Sequence, residues 1–183
     1  MRIITGKARG TNLYTLPGST TRPTADRVKE AVFSMLQFEI EGRSVLDLFG
    51  GSGQLALEAL SRGARDAVIA DSQRGAIDII KKNAEKTKLS SGCTIMLSDW
   101  KETLRRLSGK KFDIVFLDPP YSSGLIPDVL KELYQHLKPT SIVVCESDRD
   151  LSDELDCRYE TKKTVKYGVA HVMLLKKIKE TEE

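Results

Sequence analysis

The 183-residue chain is poor in the side chains that build metal centres and cross-linked scaffolds. It has three cysteines, Cys93, Cys145 and Cys157, an odd and scattered set without metal-ligand spacing. That excludes a disulfide framework and points to a reducing, cytoplasmic setting. Cys93 and Cys145 sit in apolar runs and are expected as buried thiols. The two histidines, His136 and His171, lie far apart with no clustered acids, so no metal site is expected. No apolar run approaches the roughly 20 residues that span a bilayer, and Met1-Arg2-Ile3-Ile4-Thr5-Gly6 lacks the core of a signal peptide. What remains is an ordinary globular composition, 40% hydrophobic and 30% charged, at a length that fits one domain with a sizeable core and perhaps a small appendage.

Charge is unevenly spread. Net charge is only +3, yet residues 1–29 carry six bases (Arg2, Lys7, Arg9, Arg22, Arg27, Lys29) against Asp26 alone. Residues 157–179 carry seven against Glu160. A lysine-rich carboxyl end is commonly a solvated face, and its role is left open. The amino end, with its bases around glycines and ahead of a helix, reads as a phosphate-contacting surface.

Taken in order, Ile3–Thr5 and Asn12–Thr15 flank Gly6-Lys7-Ala8-Arg9-Gly10, the pattern of a small hairpin with a basic loop. After a linker, Val28, Val32, Met35 and Leu36 recur at helical spacing, with Thr24 as the expected N-cap and Asp26 in the first turn. Ser44–Phe49 reads as a strand and Gln54–Arg62 as a helix, with Gly50-Gly51-Ser52-Gly53 between them. This is the opening of a nucleotide-binding βαβ unit. A strand at Ala67–Ala70 ends at Asp71, about 20 residues beyond the glycines, where such folds hold a ribose. A helix over Arg74–Thr87, a strand over Thr94–Leu97 closed by Ser98-Asp99-Trp100, and a helix near Glu102–Leu107 follow. Phe112–Leu117 is apolar and β-branched, the pattern of a strand buried on both faces. Beyond it come a helix over Leu125–Leu137, a strand over Ser141–Cys145 ending at Glu146, and extended segments at Arg158–Lys163 and Val169–Lys176. Alternating strands and helices with a closing hairpin predict a three-layer α/β domain.

The central strand ends unusually, in Asp118-Pro119-Pro120-Tyr121. A proline holds the residue before it extended, and each proline removes an N–H, so the turn is stiff and rich in acceptors. Asp47, Asp71, Asp99 and Asp118 stand at or near the carboxyl ends of four successive strands. Together they describe a pocket offering acceptors to a ligand with hydroxyls, amines or positive charge. Gly51-Ser52-Gly53-Gln54-Leu55-Ala56 literally fits the dinucleotide fingerprint G-x-G-x-x-[GA], but a hydride-transfer enzyme would need a nearby acid/base residue that nothing obvious supplies.

Asp47-Leu48-Phe49-Gly50-Gly51-Ser52-Gly53 resembles the S-adenosylmethionine motif of Rossmann-like methyltransferases. Asp118-Pro119-Pro120-Tyr121 resembles the (Asn/Asp)-Pro-Pro-(Tyr/Phe) motif of enzymes that methylate exocyclic amines of nucleobases. With Met1–Gly10, Thr21-Arg22-Pro23-Thr24, Val28-Lys29-Glu30-Ala31 and Glu58–Ala64 in order, the chain resembles the RsmD family, which methylates guanine N2 in 16S rRNA. It departs at Gly50, where alanine is usual, and at Gln54-Leu55-Ala56, where Ala-Leu-Gly is.

The resemblance implies a class I methyltransferase fold with a mostly parallel seven-stranded sheet, an antiparallel strand near the carboxyl end, and a small amino-terminal β-hairpin and helix. Residues 1–43 would form an rRNA-contacting extension and 44–183 the S-adenosylmethionine-dependent domain. It implies Asp118, Pro119, Pro120 and Tyr121 as catalytic. Asp47, Phe49, Gly50, Gly51, Ser52, Gly53, Asp71, Ser72, Asp99 and Trp100 would hold the cofactor. Arg2, Lys7, Arg9, Arg22, Thr24 and Arg27 would contact RNA. The implied target is guanine 966 of 16S rRNA in the small ribosomal subunit, with a monomer and no metal as defaults. Adenine-N6 methylation of DNA or RNA fits the same motif, and a non-catalytic RNA-binding module is the alternative from another class. C5-cytosine methylation is not expected, since no Pro-Cys pair is present.

Overall fold

The sheet is built around β4, Phe112–Leu117, whose six residues are all buried. A computed structural model describes residues 1–16, 23–121 and 123–178, with backbone alone for 23–25. The other strands are β1 (Ser44–Asp47), β2 (Asp66–Asp71), β3 (Cys93–Leu97), β5 (Leu137–Ser147), β6 (Tyr159–Tyr167) and β7 (Ala170–Lys177). The helices are α1 (Pro23–Met35), α2 (Gln54–Ser61), α3 (Arg74–Lys86), α4 (Trp100–Arg106) and α5 (Ile126–Leu133). The strands form one seven-stranded sheet in the order β3-β2-β1-β4-β5-β7-β6. The pairs β1–β2, β2–β3, β1–β4 and β4–β5 are parallel, and β7 runs antiparallel to β5 and β6. The expected sheet, mostly parallel with an antiparallel strand near the carboxyl end, is the one observed.

Period-two alternation sorts the strands onto two cores. Ile114, Phe116, Ile142, Val144, Val172 and Leu174 face one cluster, which also takes side chains from α1, α2 and α3. Val115, Leu117, Val143, Cys145, Met173 and Leu175 face the other, under α4 and α5. Each fully buried Val, Ile, Leu or Phe contributes roughly 1.5–3 kcal/mol, so both faces of the central strands must stay covered. This is why they read as continuous apolar runs.

The amino-terminal segment belongs to the first of these cores, through Ile3, Ala8 and Leu13. The expected hairpin is reduced to one antiparallel bridge, Arg2 to Asn12, with Ile3 and Thr11 bonded across it. Side chains of the domain hold its backbone. The Glu58 carboxylate accepts from Ile4 N–H at 2.7 Å and Thr5 N–H at 3.0 Å. Asn83 accepts from Tyr14 N–H at 2.7 Å and donates to the carbonyls of Tyr14 and Ser52. Gly6, at φ +87°, lies so close to Ser61 that a Cβ there would sit 1.8 Å from its carbonyl oxygen. Lys29, buried to 1% exposure, donates to the Arg2 carbonyl and lies 3.9 Å from Glu58.

Two further elements differ from expectation. Helix α1 starts at Pro23, so Thr24 lies inside the helix rather than capping it; proline suits a first helical turn because its fixed φ is helical and its missing N–H has no partner there. Helix α5 stops at Leu133, a 3-10 turn covers Tyr134–His136, and Leu137 already belongs to β5, opposite Phe112. The β5 register then shifts before Ile142 pairs with Ile114. That irregularity accommodates Pro139, which has no N–H for the ladder.

Candidate active site

The chain leaves β1 toward β2 and β3 on one side and returns as β4 on the other, so β1 and β4 mark the point where strand order reverses. Crevices outside the carboxyl ends of strands at such a point bind ligands in open α/β sheets. Here the crevice is a cavity of about 700 Å³. It is lined by Asp71, Ser72, Asp99, Trp100, Phe49 and Gly51 on the β1–β3 side and by Asp118, Pro119, Pro120, Tyr121 and Glu146 on the other. The glycine loop and the proline elbow, far apart in sequence, face the same space.

Gly51 stands at φ +55° with nothing within 4 Å of where a Cβ would be, so its backbone is bare toward the ligand side. Its N–H donates to Asp71 Oδ2 at 2.9 Å, and Gln73 N–H donates to Asp71 Oδ1 at 2.8 Å. Asp71 is thereby fixed, with lone pairs left over because each carboxylate oxygen has two. Asp99 caps α4, accepting from Glu102 N–H at 2.8 Å, and lines the cavity. Gly50 and Ser52 line a smaller adjoining cavity of about 190 Å³, together with Asp47, Gln54, Asp118 and Met1. The Ser52 hydroxyl lies 3.3 Å from the Met1 sulfur. Gly53 lines neither cavity; at φ +78° it precedes α2 and turns the chain into that helix. Three of the four strand-end acids thus share the large cavity, while Asp47 is enclosed beside it.

The carboxyl groups around the elbow are held in an unusual state. Burial pushes the Asp118 carboxyl well above its ordinary value, and the charges of Glu146 and Asp47 push it in the same direction. No hydrogen bond or ion pair to its side chain is found among the described residues. Burial lifts Asp47 to about 7, opposed by the N–H of Phe49 and assisted by Asp71. Burial also raises Glu146, against the hydrogen bond it accepts from the Tyr121 hydroxyl at 2.7 Å. That bond anchors a ring that is 40% exposed at the mouth of the site. Glu146 is a site residue that sequence reasoning passed over; its signal was an acid at the carboxyl end of β5, in step with the other four.

Of the expected RNA contacts, Arg2, Lys7, Arg9 and Arg27 are exposed. Arg22 lies outside the described residues, as does the side chain of Thr24. The segment carrying these bases also walls the site: Met1, Thr15 and Leu16 line the smaller cavity. From α1, Val28, Lys29 and Val32 border a third recess of about 70 Å³ shared with Gln54, Asp118 and Glu146.

The cavity fits a nucleoside with a cationic substituent. Its volume lies in the ~300–1,000 Å³ range of small-molecule sites. Its polar lining is chiefly carboxylates and bare backbone, which suit hydroxyls, an amine and positive charge and disfavour a pyrophosphate. Among the described residues no group of three or more His, Cys, Asp or Glu side chains is placed to hold a metal ion. No helix among them is long and apolar enough to cross a membrane.

Comparison with known proteins agrees with this picture. A family model described as Conserved hypothetical protein 95 matches residues 1–176. YlbH of Bacillus subtilis, assigned as an rRNA methyltransferase, is 34% identical over 187 residues, covering 97% of this chain and 99% of that protein. Ribosomal RNA small subunit methyltransferase D of Haemophilus influenzae is 35% identical over 82% of this chain and 80% of its own. Among solved structures, YhhF of Escherichia coli, assigned as a methyltransferase, matches with a TM-score of 0.85 at 30% identity, covering 98% of this chain and 99% of that one.

Proposed function

The chain belongs to the RsmD family, and from that premise we propose that it methylates the exocyclic N2 amine of a guanine in 16S rRNA, guanine 966 by the family's numbering, within the small ribosomal subunit. It is an S-adenosylmethionine-dependent rRNA methyltransferase. The observation that carries methylation of an exocyclic amine is the placement of Asp118: an unpartnered carboxylate at the end of the central strand, opening on the same cavity as the glycine loop, Asp71 and Asp99; the choice of guanine follows from the family likeness.

S-adenosylmethionine, when bound, supplies a methyl group on a sulfonium already activated for transfer. Asp71 would hold the ribose hydroxyls, Asp99 the adenine amine, and Asp47 with Phe49, Gly50, Gly51, Ser52 and Gly53 the amino-acid portion, with Ser72 and Trp100 completing the wall. What is left to the chain is the orientation of a poor nucleophile. Guanine's N2 lone pair is delocalised into the ring. The Asp118 carboxylate and the Pro119 carbonyl are two acceptors for the two amine protons, and accepting both favours a pyramidal nitrogen with its lone pair free. As the N–C bond forms, positive charge grows on the nitrogen and Asp118 takes up one of its protons. A carboxylate kept at a raised pKa by burial and by Glu146 is the better base for that step. Tyr121 stacks on the extruded base. Residues 1–43 serve as the rRNA-contacting extension, with Arg2, Lys7, Arg9 and Arg27 on phosphates.

The test is incubation with labelled S-adenosylmethionine and small subunits lacking the modification, followed by nucleoside analysis. N2-methylguanosine is the expected product. N6-methyladenosine would overturn the guanine reading, and no labelled nucleoside would overturn the activity.

A further inference from the structure

Asp118 has a neighbour of its own kind. Leu117 of β4 pairs with Cys145 of β5 in parallel register, so the residues that follow, Asp118 and Glu146, leave adjacent strand ends side by side. Strand alternation puts both on the face of Phe116 and Val144, toward α1 and α2. They line the large cavity together, and they also share the recess bordered by Val28, Lys29 and Val32. Lys29, the cation of that recess, is committed to the Arg2 carbonyl and to Glu58. The Tyr121 hydroxyl donates to Glu146 Oε1 at 2.7 Å, while Oε2 has no partner among the described residues. Burial raises both carboxyls, and the charge of Glu146 adds to the rise at Asp118. Such a pair is relieved by a ligand that brings two N–H donors side by side.

We propose that Glu146 is the specificity-determining residue for the target base, its free oxygen accepting N1–H of guanine while Asp118 beside it receives the N2 amine. This rests on the reading that Asp118 receives the amine, and it gives the choice of guanine a residue. On the base-pairing edge of guanine, N1–H stands directly next to the amine, so two adjacent carboxyls meet two adjacent donors. In adenine the ring nitrogen beside the N6 amine is bare, and the same oxygen would meet a lone pair. Tyr121 joins the two tasks: its ring stacks on the base, and its hydroxyl fixes the carboxylate that reads the edge. No proton moves to Glu146 and no bond forms or breaks there; Asp118 remains the base.

The discriminating substrate is 2-aminopurine, which keeps the amine but has a bare N1. Small subunits are reconstituted with either guanine or 2-aminopurine at the target position. Single-turnover methyl transfer is then measured for the wild type, for Glu146→Met, which keeps the length of the side chain without its acceptor, and for Glu146→Ala. The readout is the ratio of the two rates, because weaker base strength at Asp118, looser stacking or a partly unfolded sample lowers both rates alike. The wild type is expected to favour guanine by roughly ten- to hundredfold, the scale of one hydrogen bond to a charged group. Both variants should lower that ratio by about tenfold or more. A ratio left unchanged in the variants would show a merely structural or electrostatic glutamate and overturn the proposal. A wild type that uses both bases equally would overturn it too, since a protonated Glu146 would then be donating to the bare N1. A wild type that labels no guanine N2 would instead overturn the reading of Asp118, and the Glu146 assignment with it.

Discussion

The two ends of β4 each carry an aspartate flanking the same apolar run, and the two have opposite fates. Asp113, at the amino end, is surrounded by donors: Ser44 N–H at 2.9 Å, Ser44 Oγ at 2.8 Å and Lys138 Nζ at 2.7 Å, with Arg43 at 3.4 Å. Burial alone would raise its carboxyl, but these partners outweigh it and hold the group at about 2. Asp118, at the carboxyl end, has no such donors, and burial with two neighbouring carboxyls drives it upward. One strand thus keeps a carboxylate that ties three segments together and another whose bonding capacity is unspent. A satisfied charge makes structure; an unsatisfied one at a cavity is available for chemistry.

That contrast can be broken most directly at Asp118. Replacing it by asparagine should cost about a thousandfold in methyl transfer while leaving urea stability equal to or above that of the wild type. Near-normal turnover would end the catalytic assignment.

The pH dependence of stability sharpens the same contrast, because the two kinds of carboxyl have opposite signs. Asp113 is depressed from an ordinary 3.8 to about 2, so its contribution is complete above about pH 4 and lost as pH falls toward 2. Asp47, enclosed beside Asp118, is raised from 3.8 to about 7, so the fold favours its neutral form. The stability due to that preference is complete below about pH 4 and disappears as pH rises toward 7. The loss is up to about 4 kcal/mol for a shift of this size. Urea unfolding of the apo protein at pH 5 and pH 8 should show the decline, and Asp47→Asn should remove part of it, the remainder belonging to Asp118 and Glu146, which burial raises in the same direction. An unchanged slope in the variant would show that Asp47 contributes none of it. Turnover should follow the same direction as Asp118, falling on the acid side at a higher pH than an ordinary carboxylate would give.

At the other end of the strand, Asp113→Ala should lower unfolding free energy by about 3 kcal/mol, since it strands Lys138 and the Ser44 groups. Rate per folded molecule should be unchanged. A selective loss of rate would show that the amino end is coupled to the site. The smallest effect is expected from Tyr121→Phe, which keeps the ring and frees Glu146. A few-fold drop in methyl transfer is expected, and a loss matching Asp118→Asn would recast the hydroxyl as part of the chemistry.

Much of this could be read in the sequence. The apolar run before Asp118, the prolines that stop it, and the glycines before Gln54 are local signals, and each predicts its own backbone. The errors fell where local signals compete. Thr24 looked like a cap, yet Pro23 is a good first helical residue, and the helix begins there. Leu137 continued the stripe of α5, yet pairing with β4 claimed it for β5. Glu146 was visible as a strand-end acid, but nothing in its neighbours announced that it would meet Tyr121, 25 residues away.

By itself, then, the sequence determined the alternation of strands and helices and the two turns that bear the motifs. Those depend on side-chain period and on the restricted φ of proline and the freedom of glycine, which neighbouring residues settle among themselves. Tertiary structure decided which carboxyl would be paired and which left open. Asp113 finds Ser44 across 69 residues of chain, while Asp118 finds no partner at all among the described residues. Burial and pairing are properties of what folding brings near, and no local pattern encodes them.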